Sequence, residues 1–179
     1  SCNTVIGKQI KNKDNLCLAR SVAVAKSRLD HLADPANKQL KNRYGDLCKG
    51  DKPKLKMQFN AAKKIMRNAG LQNHHGPCGI PELRAIQGTM PDYRIRVFNS
   101  QKVSSVVFLG PPAINTINLY LHDNHFTVIT SLPAFLDNSY FCEICNVPYS
   151  NKEKHRCPNI CPCCHTVPAC PNTSIKDLI

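Results

Sequence analysis

The chain lacks any apolar run long enough to cross a bilayer: its longest uncharged, largely apolar stretches, residues 103–109 and 114–121, fall well short of the roughly 20 residues that a spanning helix needs. No charged leader followed by an apolar segment opens it, and it does not begin with Met, so residue 1 reads as the cut end of something longer. Internal repeats and low-complexity tracts are missing as well. Acidic side chains are scarce, with 12 Asp and Glu against 24 Lys and Arg. At 179 residues and 42% hydrophobic, the chain has room for one ordinary globular domain, or a core domain with a small metal-stapled appendage.

The basic excess is N-terminal, with residues 1–70 holding 16 Lys and Arg against 5 Asp and Glu. Runs such as Lys8, Lys11, Lys13 and Lys49, Lys52, Lys54, Lys56 could attract nucleic acid or another polyanion. No aromatic residues interleave with them in sequence, as a base-stacking platform would require, which favours a solvated helical face.

Residues 15–32 place Leu18, Val22, Ala25, Leu29 and Leu32 at alternating steps of four and three, which predicts an amphipathic helix with Asp14 as its N-cap. A short strand is expected at residues 4–10. Pro35 should open a second helix to about residue 47, and a third should run over residues 55–69, stopped by Gly70. A turn-rich loop, a short helix at 82–88, and strands at 93–98, 103–109, 117–121 and 126–129 should follow. Helices first and a strand meander afterwards predict an α+β sandwich with one sheet face covered by helices.

Cys17 falls in the first turn of the first helix, where the dipole lowers a thiol pKa and free N–H groups can receive an oxyanion. A base is then needed. Among the 7 histidines, His125 closes the short turn between the last two expected strands, with His122 the close competitor. Each has a plainer reading, a buried cysteine and a surface turn histidine.

The run Asp14-Asn15-Leu16-Cys17-Leu18-Ala19-Arg20-Ser21 resembles the Asp-x-x-Cys-Leu-x-Arg signature of the ovarian-tumour (OTU) cysteine proteases. Leu119-Tyr120-Leu121-His122-Asp123-Asn124-His125-Phe126 is similar to that family's C-terminal motif, an apolar strand, a turn, and His followed by an aromatic residue. The resemblance implies an OTU-like, papain-type fold over residues 1–138. It also implies Cys17 as nucleophile, His125 as general base, and the Asp14 to Cys17 backbone as oxyanion hole. OTU proteins are mostly deubiquitinases that hydrolyse the isopeptide bond after the C-terminal Gly-Gly of ubiquitin, so ubiquitin, polyubiquitin or a ubiquitin-like modifier is the implied partner. Where the family often has Asp or Asn two residues after the histidine, this chain has Thr127, and a hydroxyl stabilises imidazolium less than a carboxylate does. The third member is then Thr127, a group from the N-terminal strand such as Asn3, or nothing. A broader likeness, through Gly76-Pro77-Cys78-Gly79-Ile80, the His122 to Phe126 run and the cysteine-rich tail, resembles the N-terminal extension of protein-primed family B DNA polymerases of Polinton (Maverick) transposons. That implies a piece of a mobile-element replication protein, without the polymerase motifs.

Of the 11 cysteines, 7 lie between Cys142 and Cys170 with two histidines among them, at metal-ligand spacings that favour zinc in a reducing, intracellular compartment, cytoplasm or nucleus. Residues 139–179 are therefore expected to form a zinc module. Cys142-x2-Cys145 and Cys161-x2-Cys164, separated by fifteen residues, have the spacing of a zinc ribbon or knuckle pair. His155 and Cys157, with His165 or Cys163 and Cys170, would complete a second, interleaved site. A sequential pairing, with Cys142, Cys145, His155 and Cys157 at one ion, is the alternative. The ligand order loosely resembles a RING domain, but the His-x-Cys inversion and the lack of a final Cys-x2-Cys argue against one. His74, His75 and Cys78 could form a further site, although a loop with chance ligands is the plainer reading. A non-catalytic, nucleic-acid-binding or scaffolding domain is the competing function.

Overall fold

A computed structural model of the chain describes residues 14–49 and 56–160. The expected strand at residues 4–10, Asn3, and the tail ligands from Cys161 to Cys170 lie outside these residues. None of the described helices is long and apolar enough to cross a membrane.

The first helix, α1 (Cys17–Ala33), is the centre of the molecule. Over its first turns it is buried on all sides, from Cys17 through Ala25, because helices pack against one flank and the sheet against the other. It emerges only after Ser27, so Leu32, expected on the core stripe, is 53% exposed. Asp14 is not its N-cap. The helix begins two residues later than expected, with Leu16 at the cap, and the Asp14 carboxylate instead accepts from the Leu16 N–H (3.1 Å) and pairs with Arg20 (2.6 Å). Nor does Pro35 open the second helix, α2 (Lys38–Cys48). Asn37 caps it, its side-chain oxygen accepting from Gln39 N–H at 3.1 Å and Leu40 N–H at 3.3 Å. The third, α3 (Met57–Asn68), stops as expected: Gly70 adopts φ +71°, and the Leu71 N–H returns to the Met66 carbonyl at 2.8 Å. A fourth, α4 (Ile80–Gly88), leads into the sheet.

The sheet is mixed rather than a meander. Its strands, β1 (Tyr93–Phe98), β2 (Val106–Leu109), β3 (Asn115–His122) and β4 (His125–Val128), stand in the order β2-β1-β3-β4, with β1 and β3 parallel. The hairpin partner β2 takes one side of β1, and residues 110–114 carry the chain to the other. Residues 103–105, expected in a strand, form a 3₁₀ turn. Ile95, Val97, Ile117, Leu119, Phe126 and Val128 pack on the helices. The opposite face is covered too: Phe98 and Tyr120 meet α5 (Leu132–Phe135) and Phe141 of the short strand β5 (Tyr140–Cys142), which pairs with β6 (Val147–Tyr149). Helices therefore do not cover the sheet on one side alone.

Gln87 ties α4 to β1. Its amide donates to the Tyr93 carbonyl (2.7 Å) and its oxygen accepts from the Ile95 N–H (2.7 Å). A Cβ added at Gly110 would lie 2.0 Å from that oxygen. Because Gln87 is pinned at both ends, Gly110→Ala should cost roughly 1–3 kcal/mol through overpacking. A urea titration checks this, an unchanged midpoint contradicting it.

Candidate thiol site and metal centre

The last two strands join through a two-residue turn in which Asp123 and Asn124 both have positive φ, 50° and 58°, the geometry of a type I′ hairpin. Strand β4 is the sheet edge, so its outward carbonyls need partners, and α1 supplies them. Ser21 Oγ donates to the Phe126 carbonyl at 3.0 Å, and Cys17 Sγ lies 4.0 Å from the Asn124 carbonyl. One helical turn on α1 is matched to a two-residue step from the turn residue Asn124 to Phe126 on β4, so the helix start and the hairpin tip are held side by side.

Cys17 is the first residue of α1 and is 8% exposed. Its sulfur faces the carbonyl that immediately precedes His125; it makes no hydrogen bond to the His125 ring among the described residues. The His125 Nε2 is buried and has no hydrogen-bond partner among the described residues. The register pairs His122 with His125 across the hairpin, but the two differ sharply. The His122 side chain is 64% exposed, stacks on Tyr120 and reaches only the solvent-facing Asp123 carboxylate, at 3.2 Å. Thr127 shares a strand face with His125, half-buried, opposite Tyr120.

The residues before Cys17 are clamped from within. Buried Arg20 reaches both oxygens of Asp14 (2.6 and 3.3 Å) and also donates to Gln58 Oε1 (3.0 Å), whose amide donates to the Leu47 carbonyl (2.9 Å). With the Leu16 N–H occupied by Asp14, the N–H groups of Cys17, Leu18 and Ala19 are the ones that first-turn geometry leaves to receive an oxyanion. The third wall is the loop before α4. Cys78 Sγ lies 3.9 Å from the Asn15 carbonyl, and its thiol is pushed up to about 11 by burial, with Glu82 and Cys17 as neighbours adding to it. It is therefore a neutral thiol. His74 does not join Cys78 but faces Glu82 at 3.5 Å, so the third cluster considered in the sequence does not assemble.

Glu82 also accepts from the Gly79 N–H at 2.7 Å, chiefly for which its carboxyl lies below the usual range. A carboxylate with a lowered folded pKa contributes stability that is complete above the unfolded value, about 4.3, and is lost as pH falls through the folded one. Wild type should thus exceed Glu82→Gln in urea midpoint at neutral pH, with the gap closing below about pH 4. A gap that does not narrow as the pH falls below about 4 would contradict this.

The second cluster sits on the β5–β6 hairpin. Cys142, Cys145, His155 and Cys157 present ligand atoms all within 4.8 Å of one another, and this group could hold a metal ion. Cys142 Sγ is 3.8 Å from Cys157 Sγ, and Cys145 Sγ is 3.7 Å from His155 Nε2. Bonds of about 2.3 Å to sulfur and 2.0 Å to nitrogen give tetrahedral edges of roughly 3.6–3.8 Å, so the donor set fits such an ion. None of the described cysteines is disulfide-bonded. Burial works to raise the Cys142 thiol, but the N–H groups of Cys145 and Ile144 outweigh it and bring the thiol down to about 6; burial and the facing thiols push Cys145 up to about 11. Asn146, at φ 56°, completes the turn, and the His155 ring is fixed by stacking on Tyr149 at 4.3 Å. The structure thus gathers the sequential set of ligands; Cys161, Cys164, His165 and Cys170 lie outside the described residues.

The hairpin is bound to the sheet by a residue the sequence reading passed over. Arg96, 2% exposed on β1, donates to Glu143 (2.8 Å) and to Asn146 Oδ1 (2.9 Å), with Phe141 over its guanidinium at 5.3 Å. An arginine alternating with Ile95 and Val97 on a buried strand was the available signal.

No protein-family model matches the chain, and comparison with curated proteins and with solved structures finds no similar one either.

Proposed function

We propose that the chain is a thiol-dependent isopeptidase of OTU type, cleaving after the C-terminal Gly-Gly of ubiquitin or a ubiquitin-like modifier. The observation that carries this reading is the 4.0 Å approach of Cys17 Sγ to the Asn124 carbonyl, which joins two motifs 107 residues apart at a helix start and a hairpin tip. The unpartnered Nε2 of His125 supports it further. In the reaction, His125 takes the Cys17 proton and the sulfur attacks the scissile carbonyl carbon. The oxyanion is held by first-turn N–H groups. Collapse expels the lysine amine, which receives the proton from His125, and leaves a thioester. Water, deprotonated by the same ring, attacks the thioester and releases the carboxylate and the free thiol. Because the resting sulfur faces a carbonyl, a thiolate there requires the Asn124 carbonyl to turn aside as substrate enters. Thr127 is the orienting group available two residues on, and a hydroxyl makes for a slow enzyme.

The ion is read as zinc, held by Cys142, Cys145, His155 and Cys157, and its role as structural. Incubation with isopeptide-linked diubiquitins of every linkage tests the enzymatic reading. Cleavage that disappears in Cys17→Ala is expected; no cleavage of any linkage by wild type, or cleavage equal in both, would contradict it.

A nucleic-acid-binding role is favoured by one observation. The exposed Lys56 and Lys63 flank the half-buried Phe59 ring at 5.8 and 5.7 Å, three residues before it and four after it at the start of α3. Should this surface bind single-stranded DNA, log affinity falls with log salt by about 0.7 per phosphate neutralised, and Lys56→Ala with Lys63→Ala lowers the slope by about 1–2. A slope unchanged by both substitutions would remove this surface from consideration.

A further inference from the structure

Ser21 lies within the most buried stretch of α1 and is itself 0% exposed. A serine there gains nothing over alanine in helix propensity, and without a partner its hydroxyl would cost free energy in so apolar a setting. The partner is the Phe126 carbonyl on the edge strand, at 3.0 Å. One turn earlier, Cys17 meets the same end of the hairpin at the Asn124 carbonyl. The two contacts share a register because four residues of helix rise about 6 Å and two residues of strand about 6.4–6.8 Å.

The two contacts differ in what the reaction does to them. The Cys17 contact is made by a weak S–H donor at 4.0 Å, and on the isopeptidase reading it opens in each turnover, since an ionised sulfur is repelled by a carbonyl oxygen. The Ser21 contact is short and buried, holds the carbonyl of the residue after His125, and involves no group that changes protonation. While the sulfur is ionised or bonded to substrate, the Ser21 hydroxyl still ties β4 to α1. A misplacement of about 1 Å between reacting groups can cost about 10²-fold in rate, so that tie bears on the chemistry. We propose that Ser21 is a positioning residue of the thiol site, fixing the strand that carries His125 against the helix that carries Cys17 throughout the reaction. The proposal rests on the isopeptidase reading and adds to it a residue outside the Asp-x-x-Cys-Leu-x-Arg signature.

The test is the rate at which a ubiquitin bearing a C-terminal thiol-reactive electrophile labels Cys17 of the full chain, in wild type, Ser21→Ala, His125→Ala and the double variant. Alanine adds no volume and suits a helix, so Ser21→Ala should fold, with a melting temperature within a few degrees of wild type. Its labelling should be slower by about tenfold or more. In the His125→Ala background the same substitution should change the rate by less than about twofold, because no ring is left to align. A serine with a structural role alone gives the same factor in both backgrounds. Ile86→Val, which shortens a fully buried side chain of α4, controls for stability: it should lower the melting temperature by a comparable amount and label at the wild-type rate. The inference is overturned if Ser21→Ala labels as fast as wild type, if its loss is equal with and without His125, or if Ile86→Val slows labelling as much. Failure of wild type to label at Cys17 is a different result, which removes the isopeptidase reading and the inference with it.

Discussion

Removing the ion from the Cys142, Cys145, His155 and Cys157 centre is expected to unfold residues 140–157 and to loosen the sheet face beneath them. Strands β5 and β6 have only three residues each, and a two-stranded hairpin of that length does not hold in water by its backbone bonds. On the reading proposed above, a bound ion would close it. Structural zinc sites contribute roughly 10–16 kcal/mol of apparent binding energy at neutral pH, as much as the whole stability of an ordinary domain. The loss spreads through Arg96. With Glu143, Asn146 and Phe141 gone, a buried guanidinium loses its counter-charge, and breaking a buried pair from one side costs about 3–5 kcal/mol at full burial, less here because the Glu143 side chain is 57% exposed. Chelation should therefore abolish hydrogen-exchange protection over 140–157 and lower the melting temperature of the entire chain, while Cys157→Ser should lower the zinc content by one ion. Less than one zinc per chain as isolated, or a melting curve indifferent to chelator, would contradict the assignment.

Replacing His125 by Ala is expected to lower kcat/KM for a ubiquitin C-terminal amide by roughly 10²–10⁴, the range that a positioned general base supplies. His122→Ala should change it no more than a few-fold, since that ring lies out in solvent against Asp123. The contrast separates the two histidines of the hairpin by function rather than by fold, because among the described residues neither side chain makes a buried hydrogen bond whose loss would unfold the tip. Thr127→Asn should raise activity if the ring lacks a firm orienting group. An equal loss in both histidine variants would indicate damage to the hairpin and contradict the role given to His125.

Much of the frame is legible along the chain because local rules settle it. The spacing of Leu18, Val22 and Ala25 marks α1, Gly70 ends α3, and the alternation of Ile95 and Val97 marks β1. What is not legible depends on groups distant in sequence. Asp14 looks like a cap until Arg20, one and a half turns later, draws its carboxylate back along the helix. The parallel pairing of β1 with β3 cannot be read from strands that alternate equally well in a meander. Arg96 is buried only because Glu143 and Asn146 arrive to meet it. Of the candidate site, the cysteine and the histidine stand out by motif, whereas the contact between their elements is made by a carbonyl and a sulfur, which no spacing rule reports. In the tail, the Cys-x2-Cys spacing leaves an interleaved and a sequential pairing open. Among the described residues His155 and Cys157 lie with Cys142 and Cys145, since a hairpin returns the chain to its own start.

The most direct measurement is intact mass after incubation with a ubiquitin whose C-terminal carboxylate is replaced by a thiol-reactive electrophile, followed by peptide mapping. A single adduct on Cys17, absent from Cys17→Ala and slowed in His125→Ala, is the predicted result. Labelling that is equal in wild type and Cys17→Ala, or that falls on Cys78 or the metal-centre cysteines, would contradict it.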